Sequence, residues 1–146
     1  MKADVKAGKT FADLQVGMKV SIENTVSEQD VSDFARISGD YNPLHMDEEY
    51  ARNTVFGTRV AHGALTASYI SAILGNELPG PGAIFTEMTL SFKRPVKIGD
   101  TVISTAEVVE MIERGCRVRL AIRCDVGGKM VMKGEATVMV PSGAAS

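Results

Sequence analysis

The sequence predicts an α+β fold in which an antiparallel sheet wraps around one central apolar helix. Three observations support this prediction: a helical segment without charged residues starts near residue 63, four segments with strand character follow it, and turn sequences separate those segments. A helix that lacks a polar face has to be buried on most of its sides. The strands that follow it in the chain are the elements available to cover it.

The N-terminal third of the chain contains one predicted strand and two short helices. The segment MKVSIENTVS, which begins at Met18, has strand character and leads into a loop. Ser27 is a predicted N-cap with Asp30 three residues later, and the helix that it begins is expected to end at Gly39. A second helix with an acidic start is expected from about Asp47 to Asn53.

The central helix is the clearest element of the sequence. It is apolar on nearly all sides from Gly63 to Leu74, and Gly75 is expected to close it because prolines and glycines follow. The four later segments alternate like strands, and we expect them to form an antiparallel meander. They read AIFTEMTLSFKRPV, DTVISTAEVVEMIER, CRVRLAIRCDV and KMVMKGEATVMV.

Length and composition limit the classes of protein that the chain can represent. Its 146 residues are enough for a single domain over residues 1–146, and the net charge of −2 gives no basis for nucleic-acid or membrane-surface binding. No apolar run approaches the roughly 20 residues of a membrane span. The N-terminal MKADVKAGKT lacks the apolar stretch of a secretory signal, so a cytoplasmic location is expected. Cys116 and Cys124 fall in one strand-like segment and are expected to be reduced packing residues.

The stretch ISGDYNPLH, from Ile37 to His45, brings Gly, Asp, Asn, Pro and His together in a chain that is otherwise mostly aliphatic. In one interpretation Asp40 caps a turn marked by Asn42-Pro43, and His45 is an ordinary loop histidine. In the other, the turn directs the Asp40 carboxylate and the His45 imidazole toward one point, where they add or remove water or move protons. Asn42 would then orient either group. The spacing alone favours the simple turn.

His62 and Gly63 immediately precede the central helix, where free backbone N–H groups and the helix dipole favour negative charge. The N–H of Gly63 is therefore a candidate oxyanion donor, but the pattern alone favours a simpler interpretation in which His62 neighbours the N-cap and Gly63 is a packing residue. A metal site built from His45, His62, Asp40 and Asp47 matches no known ligand spacing, and no metal is predicted.

The run FARISGDYNPLHMDEEYA, from Phe34 to Ala51, resembles the hydratase 2 motif of MaoC-like, (R)-specific enoyl-CoA hydratases. That motif has an aromatic residue, an aliphatic and a small residue, then G-D-x-N-P-aliphatic-H and a small residue six positions later. The resemblance continues through TFADLQVGMKV, VAHGALTASYISAILG and LSFKRPVKIGDTV, so it covers most of the chain. The fixed motif positions are matched by Phe34, Ile37, Ser38, Gly39, Asp40, Asn42, Pro43, Leu44, His45 and Ala51.

The resemblance implies a hot-dog fold and a homodimer formed edge to edge, with an acyl tunnel near the subunit interface. It implies that Asp40 and His45 are the catalytic pair and that the backbone amide of Gly63 is the oxyanion donor. Ser71 and Leu74, further along the central helix, would line the acyl pocket.

The implied activity is reversible hydration of a trans-2-enoyl-CoA to an (R)-3-hydroxyacyl-CoA, without a metal or redox cofactor. Asn42 and His62 are expected to lie beside the substrate. The first alternative is a (3R)-hydroxyacyl-[acyl-carrier-protein] dehydratase with the same residues. Lys93, Arg94 and Lys97 would serve either the phosphates of CoA or an acidic carrier protein. A non-catalytic module that binds acyl thioesters and a hot-dog thioesterase are weaker alternatives.

Overall fold

The structure is a computed structural model that describes residues 7–143. A single 3-10 turn at Phe11–Asp13 precedes the first strand. The helices are α1 (Glu28–Ser38), α2 (Pro43–Met46), α3 (Glu48–Arg52) and α4 (Gly63–Asn76). The strands are β1 (Lys19–Thr25), β2 (Ile84–Phe92), β3 (Thr101–Ile112), β4 (Arg117–Val126) and β5 (Lys129–Met139).

The five strands form one antiparallel sheet in the order β1-β3-β4-β5-β2. Strands β3, β4 and β5 form the expected meander, but the expectation that β2 belongs to it is wrong, since β2 pairs with β5 at the far edge. The edge of β3 that β2 would need is occupied by β1, whose pairing runs from Lys19 opposite Glu107 to Thr25 opposite Thr101. As a result β1 and β2 are the two edge strands.

Helix α4 packs against the sheet and contacts β3 and β1. Its Ile70 and Ile73 are fully buried in a core that includes Val102, Val108 and Leu120 from the strands. This is the hot-dog arrangement that the sequence predicts. The opposite face of α4 carries small residues that are exposed in the single chain, so the predicted burial on most sides is incomplete. These residues are Ala64, Ser68, Ser71 and Gly75.

The C-terminus of α4 differs from the prediction, because the helix runs through Gly75 and ends at Asn76. Gly75 is absent from the glycines with positive φ, whereas Gly80 has a φ of 94°. The N–H groups of Glu77 and Leu78 both donate to the carbonyl oxygen of Ile73, which closes the last turn. The reversal of the chain therefore takes place beyond the glycine that the sequence pattern selects.

The termini of α1 confirm the prediction from the capping pattern. The Ser27 hydroxyl accepts the N–H of Asp30 at 3.0 Å, and the Asp30 carboxylate accepts the N–H of Ser27 at 3.0 Å. Gly39 ends the helix with a φ of 80°, a conformation that glycine adopts without steric cost. The next predicted helix is also present as α3, with Asp47 as its N-cap.

The expectation that both cysteines lie in one strand is wrong. Strand β4 begins only at Arg117, so Cys116 lies before it in the turn after β3, with a φ of 49°. Cys124 lies on β4, where burial raises the pKa of its thiol and its sulfur contacts the Ser104 hydroxyl at 3.3 Å. Both cysteines are free.

Between residues 7 and 143, no helix has the length and hydropathy needed to cross a bilayer. Residues 1–6 and 144–146 lie outside the described part of the chain. The single domain expected over the full length of 1–146 therefore stays a prediction.

Candidate active site

Helix α2 turns the ISGDYNPLH stretch into a defined local structure. Asn42 is the N-cap, and its side-chain oxygen accepts the N–H of Leu44 at 3.0 Å. Pro43 occupies the first helical position, where its missing N–H costs no hydrogen bond. The sequence predicted a tight turn here, and the structure replaces it with a one-turn helix that carries His45.

A second turn positions Asp40 immediately before α2. The Ser38 hydroxyl accepts the N–H of Asp40 at 3.1 Å, and the Asp40 carboxylate accepts the N–H of Asn42 at 3.1 Å. These are side-chain-to-backbone turns of the kind that Ser and Asp form readily. The interpretation as a simple turn and the interpretation as an acid–base pair are therefore compatible, because the turn also brings Asp40 close to His45.

The imidazole of His45 is oriented by the backbone of a distant segment. Its Nδ1 atom lies 2.7 Å from the carbonyl oxygen of Val60. A carbonyl oxygen only accepts hydrogen bonds, so Nδ1 carries the proton and Nε2 of the neutral ring keeps a free lone pair. The carbonyl oxygen of His45 itself accepts a hydrogen bond from Nε of Arg59 at 2.6 Å.

Arg59 links this segment to α1 and was not identified from the sequence. Its Nη1 atom lies 2.8 and 2.9 Å from the two carboxylate oxygens of Glu28, and its side chain is only 12% exposed. Arg59 therefore connects the start of α1 with the backbone of His45. A separation of 31 residues between Arg59 and Glu28 leaves no local pattern that reveals the pair.

Glu48 anchors the same segment from α3. Its carboxylate accepts a hydrogen bond from the Thr58 hydroxyl at 2.7 Å and a long one from the N–H of Arg59 at 3.4 Å. The Thr58 hydroxyl is the main reason that the pKa of the Glu48 carboxyl lies below its usual range. Residues 58–60 are thus fixed to α1, α2 and α3.

His62 is buried, with 1% of its surface exposed, and it contacts both members of the candidate pair. Its Nε2 lies 2.9 Å from the backbone oxygen of Asp40, so Nε2 is the donor. Its ring lies 4.0 Å from that of His45 and 4.8 Å from that of Phe34, measured between centroids. Within residues 7–143 its Nδ1 atom has no hydrogen-bond partner. This position suits a residue that supports Asp40 and His45.

Asp40, His45 and His62 bring their ligand atoms within 4.8 Å of one another. Among the described residues this is the group of side chains that could hold a metal ion. His45 and His62 each already use one ring nitrogen in a hydrogen bond to a backbone oxygen. The cluster is equally suited to hold a water molecule between an acid and a base.

A cavity of about 410 Å³ opens beside His45 and the first residue of α4, Gly63. Its other walls are largely apolar, and Lys93 and Arg94 lie at its rim. The remaining lining residues are Leu44, Phe56, Val60, Ala61, Thr66, Phe92, Pro95, Val96, Val131 and Met132. A largely apolar cavity with a few polar groups in its lining suits an acyl chain that carries a polar head.

The other predicted site residues lie outside this cavity lining. Asp40 and Asn42 are exposed, and His62 is buried in contact with the His45 ring. Ser71 lies on the exposed face of α4, two turns beyond Gly63, whereas Leu74 is a core residue with 2% exposure. The predicted contact of Ser71 and Leu74 with an acyl chain stays a prediction.

The geometry supplies three chemical functions at one place. His45 offers a lone pair on Nε2, Asp40 offers a carboxylate, and Gly63 offers the first N–H of a 14-residue helix, where the helix dipole favours negative charge. A water molecule held by the first two groups could lose a proton while a neighbouring carbonyl oxygen gains charge.

A model of the family described as the MaoC like domain matches residues 11–126 of the chain. The chain belongs to this family. The match includes β1, all four helices and strands β2 to β4, so it covers Asp40, His45, His62 and Gly63 but not the cavity residues Val131 and Met132.

Several relatives resemble the chain over nearly its whole length. The "(R)-specific enoyl-CoA hydratase" of Rhodospirillum rubrum is 49% identical over 142 residues, which cover 97% of this chain and 99% of the relative. The "3-hydroxybutyryl-CoA dehydratase" of Methylorubrum extorquens is 50% identical over 90% of this chain and 83% of its own. The unliganded R-hydratase PhaJ1 from Pseudomonas aeruginosa superposes with a TM-score of 0.87 at 44% identity, covering 92% of this chain and 86% of the other.

Proposed function

We propose that the protein catalyses reversible hydration of a trans-2-enoyl-CoA to an (R)-3-hydroxyacyl-CoA. One observation carries this proposal. Asp40 lies close to His45, and His45 lines an apolar cavity together with Gly63, the first residue of α4. Relatives named as (R)-specific enoyl-CoA hydratase and 3-hydroxybutyryl-CoA dehydratase, at 49% and 50% identity, support the same reaction in its two directions.

In the proposed mechanism, Asp40 and His45 hold one water molecule between them. One of the two groups removes a proton from the water as its oxygen adds to C3, and a proton is delivered to C2. The N–H of Gly63 stabilises the negative charge that develops on the thioester oxygen. Acid–base assistance contributes about 10²–10⁴-fold to such reactions, and an oxyanion donor contributes about 10²–10³-fold.

The cavity supports an acyl thioester as the substrate. Its apolar walls suit a hydrocarbon chain, and Lys93 and Arg94 at its rim offer positive charge to the phosphates of CoA. Arg94 also donates to the carbonyl oxygen of Met130 at 2.8 Å, which fixes its guanidinium on the sheet. Lys93 is therefore the more adaptable of the two rim cations.

A hydration assay tests the proposal directly. Purified protein is mixed with crotonyl-CoA, loss of the conjugated absorbance is followed, and the configuration of the product is determined with an (R)-specific dehydrogenase. We expect an (R) product and a rate that is unchanged by EDTA. Formation of the (S) product, or no turnover across enoyl-CoA chain lengths, would contradict the proposal.

The alternatives are separated by two further measurements. A faster reaction with the corresponding acyl-carrier-protein thioester would favour the dehydratase of fatty-acid synthesis. Tight binding of crotonyl-CoA without turnover would identify a binding module, since fold alone does not prove activity.

We further propose that the protein forms a homodimer through the edge of β2. Seven of the nine residues of this strand are exposed, and Ile84 and Phe85 at its start are 60% and 40% exposed. An exposed apolar edge strand readily pairs with a second copy. The exposed small-residue face of α4 gives a second surface on which another chain could pack closely. Light scattering after gel filtration should give a dimer, and a monomer at micromolar concentration would contradict this.

The expected cytoplasmic location stays a prediction that cell fractionation can test.

A further inference from the structure

The hydroxyl group of Thr66 is a buried polar group that the mechanism above leaves without a role. Thr66 lies in the first turns of α4, is 2% exposed, and lines the cavity together with Gly63 and His45. No hydrogen bond between described residues involves its hydroxyl. The hydroxyl oxygen is not among the fully enclosed polar atoms that lack a partner, so it keeps access to the cavity, where a polar group of a ligand can bond to it.

The usual local partner of such a hydroxyl is not used. Ser and Thr in helices commonly donate to the carbonyl oxygen three or four residues earlier. Ser68, on the same helix, does so and donates to Leu65 at 2.5 Å. Thr66 has the carbonyl oxygen of His62 in the corresponding position, but only its backbone N–H contacts that oxygen, at 3.4 Å. The hydroxyl therefore remains available to a molecule in the cavity.

Helix geometry directs this hydroxyl toward the candidate oxyanion donor. Side chains in a helix point toward its N-terminus, and residues three apart lie on the same face. Thr66 follows Gly63 by three residues, and both line the cavity. The buried lining residues Val96, Val131 and Met132 are apolar and suit the hydrocarbon part of a ligand. The polar atom that meets both donors is then the carbonyl oxygen of the thioester.

We propose that Thr66 contacts the substrate and donates a second hydrogen bond to the thioester carbonyl oxygen, beside the N–H of Gly63. This inference rests on the proposed hydratase function. The negative charge that grows on this oxygen in the transition state strengthens both hydrogen bonds. Thr66 thus contributes to turnover more than to binding of the ground state.

Kinetic measurements on crotonyl-CoA test this role with three variants. Thr66→Val keeps the branched shape and removes the hydroxyl, and we expect kcat to fall about 10-fold to 100-fold while KM changes by less than about threefold. Thr66→Ser retains the hydroxyl and should keep kcat within about threefold of the wild type. Ser32→Ala removes an exposed hydroxyl on α1, away from the cavity lining, and should leave kcat unchanged.

A spectroscopic measurement separates a substrate contact from a structural effect. Crotonyl-CoA labelled with ¹³C at the carbonyl is bound to Asp40→Asn and to the double variant Asp40→Asn/Thr66→Val, and the carbonyl stretch is recorded by infrared difference spectroscopy. Loss of a donor weakens polarisation of the carbonyl, so the band should move to higher frequency in the double variant. An unchanged band would overturn the inference, even if kcat had fallen.

The outcomes also separate this inference from the proposed function. An active wild type with an equally active, folded Thr66→Val variant would overturn the role of Thr66 and leave the hydratase function intact. A wild type without turnover on any enoyl-CoA would overturn both. If Thr66→Val fails to fold, Thr66→Ala takes its place with the same expected loss of kcat and the same infrared measurement.

Discussion

The Nδ1 atom of His45 donates to the carbonyl oxygen of Val60 at 2.7 Å, which selects one tautomer of the imidazole and directs Nε2 away from the backbone. The segment that supplies this carbonyl ends at Gly63, the candidate oxyanion donor. One short piece of chain therefore orients the candidate base and also begins the helix that would stabilise the developing charge.

Removing either member of the candidate pair should abolish most turnover without unfolding the protein. Asp40→Asn keeps an oxygen for the N–H of Asn42, and His45→Gln keeps a donor for the carbonyl oxygen of Val60, so the local turns survive. We expect kcat on crotonyl-CoA to fall at least about 10²–10⁴-fold in each variant. Circular dichroism and the Tm report on folding. Glu113→Gln, an exposed change in the turn after β3, is the control, and wild-type turnover by Asp40→Asn would disprove the assignment.

The ion pair between Arg59 and Glu28 should influence catalysis by positioning His45. Arg59→Lys keeps the charge but cannot bond both the carboxylate of Glu28 and the carbonyl oxygen of His45 with the same planar geometry. We expect kcat to fall about tenfold with little change in KM, because the displaced imidazole of His45 would act only in the chemical step. Arg36→Lys, on the exposed surface of α1, serves as the control. An unchanged kcat in Arg59→Lys would show that His45 is held adequately without this contact.

A methyl group at Gly63 should interfere with substrate binding at the mouth of the cavity. A Cβ atom there would lie 3.0–3.3 Å from three ring carbons of Phe92, which is tighter than ordinary contact. The ring is 56% exposed and can move, so Gly63→Ala should fold but should have a higher KM for crotonyl-CoA. Adding Phe92→Leu should lower KM again by providing space. If KM stays at the wild-type value in Gly63→Ala, the substrate does not approach this backbone.

Gly134 should be required for pairing of the edge strand β2. A Cβ atom at this position would lie within covalent distance of the backbone oxygen of Thr89 on that strand. Gly134→Ala therefore has to separate β2 from β5, and we expect a loss of more than about 2 kcal/mol in the free energy of unfolding. Urea unfolding measures this loss. Lys133→Ala, at the exposed neighbouring position, should unfold like the wild type, and equal stability of the two variants would refute the prediction.

The contact between Glu48 and Thr58 should contribute stability that depends on pH. The pKa of Glu48 is lower in the folded state than in the unfolded chain, so its contribution is complete above the unfolded value. The contribution is lost as the pH falls through the folded pKa. The Tm of Glu48→Gln should therefore lie below that of the wild type at pH 7, and the difference should become smaller as the pH falls below the usual glutamate pKa of about 4.3. A Tm difference that stays the same from pH 7 into acid would assign the effect to packing.

The sequence predicted the elements whose determinants are local. The capping box at Ser27 and Asp30 and the left-handed Gly39 act within a few residues, so α1 could be assigned with both of its ends. The hydratase 2 motif singled out Asp40 and His45, and the structure has these two side chains close together. It did not reveal the one-turn helix α2, because the Asn42-Pro43 pattern fits a simple turn equally well.

The features that were missed depend on contacts between distant segments. The position of β2 beside β5 follows from the pairing of β1 with β3, which no local pattern encodes. Arg59 finds Glu28 only after the chain has folded, and Thr66 looks like any other residue of a buried helix. The absence of a local partner for the Thr66 hydroxyl becomes visible only when its neighbours are known.

The position of α1 to α4 in the chain has a consequence for engineering. Every group with a proposed part in bond making lies between β1 and β2, on the continuous stretch from residue 27 to residue 66. The sheet supplies walls for the cavity but no reacting atom. Exchanging this stretch between proteins of the same fold should therefore transfer the proposed catalytic groups. The strands of the receiving protein should then determine which acyl chains fit the cavity.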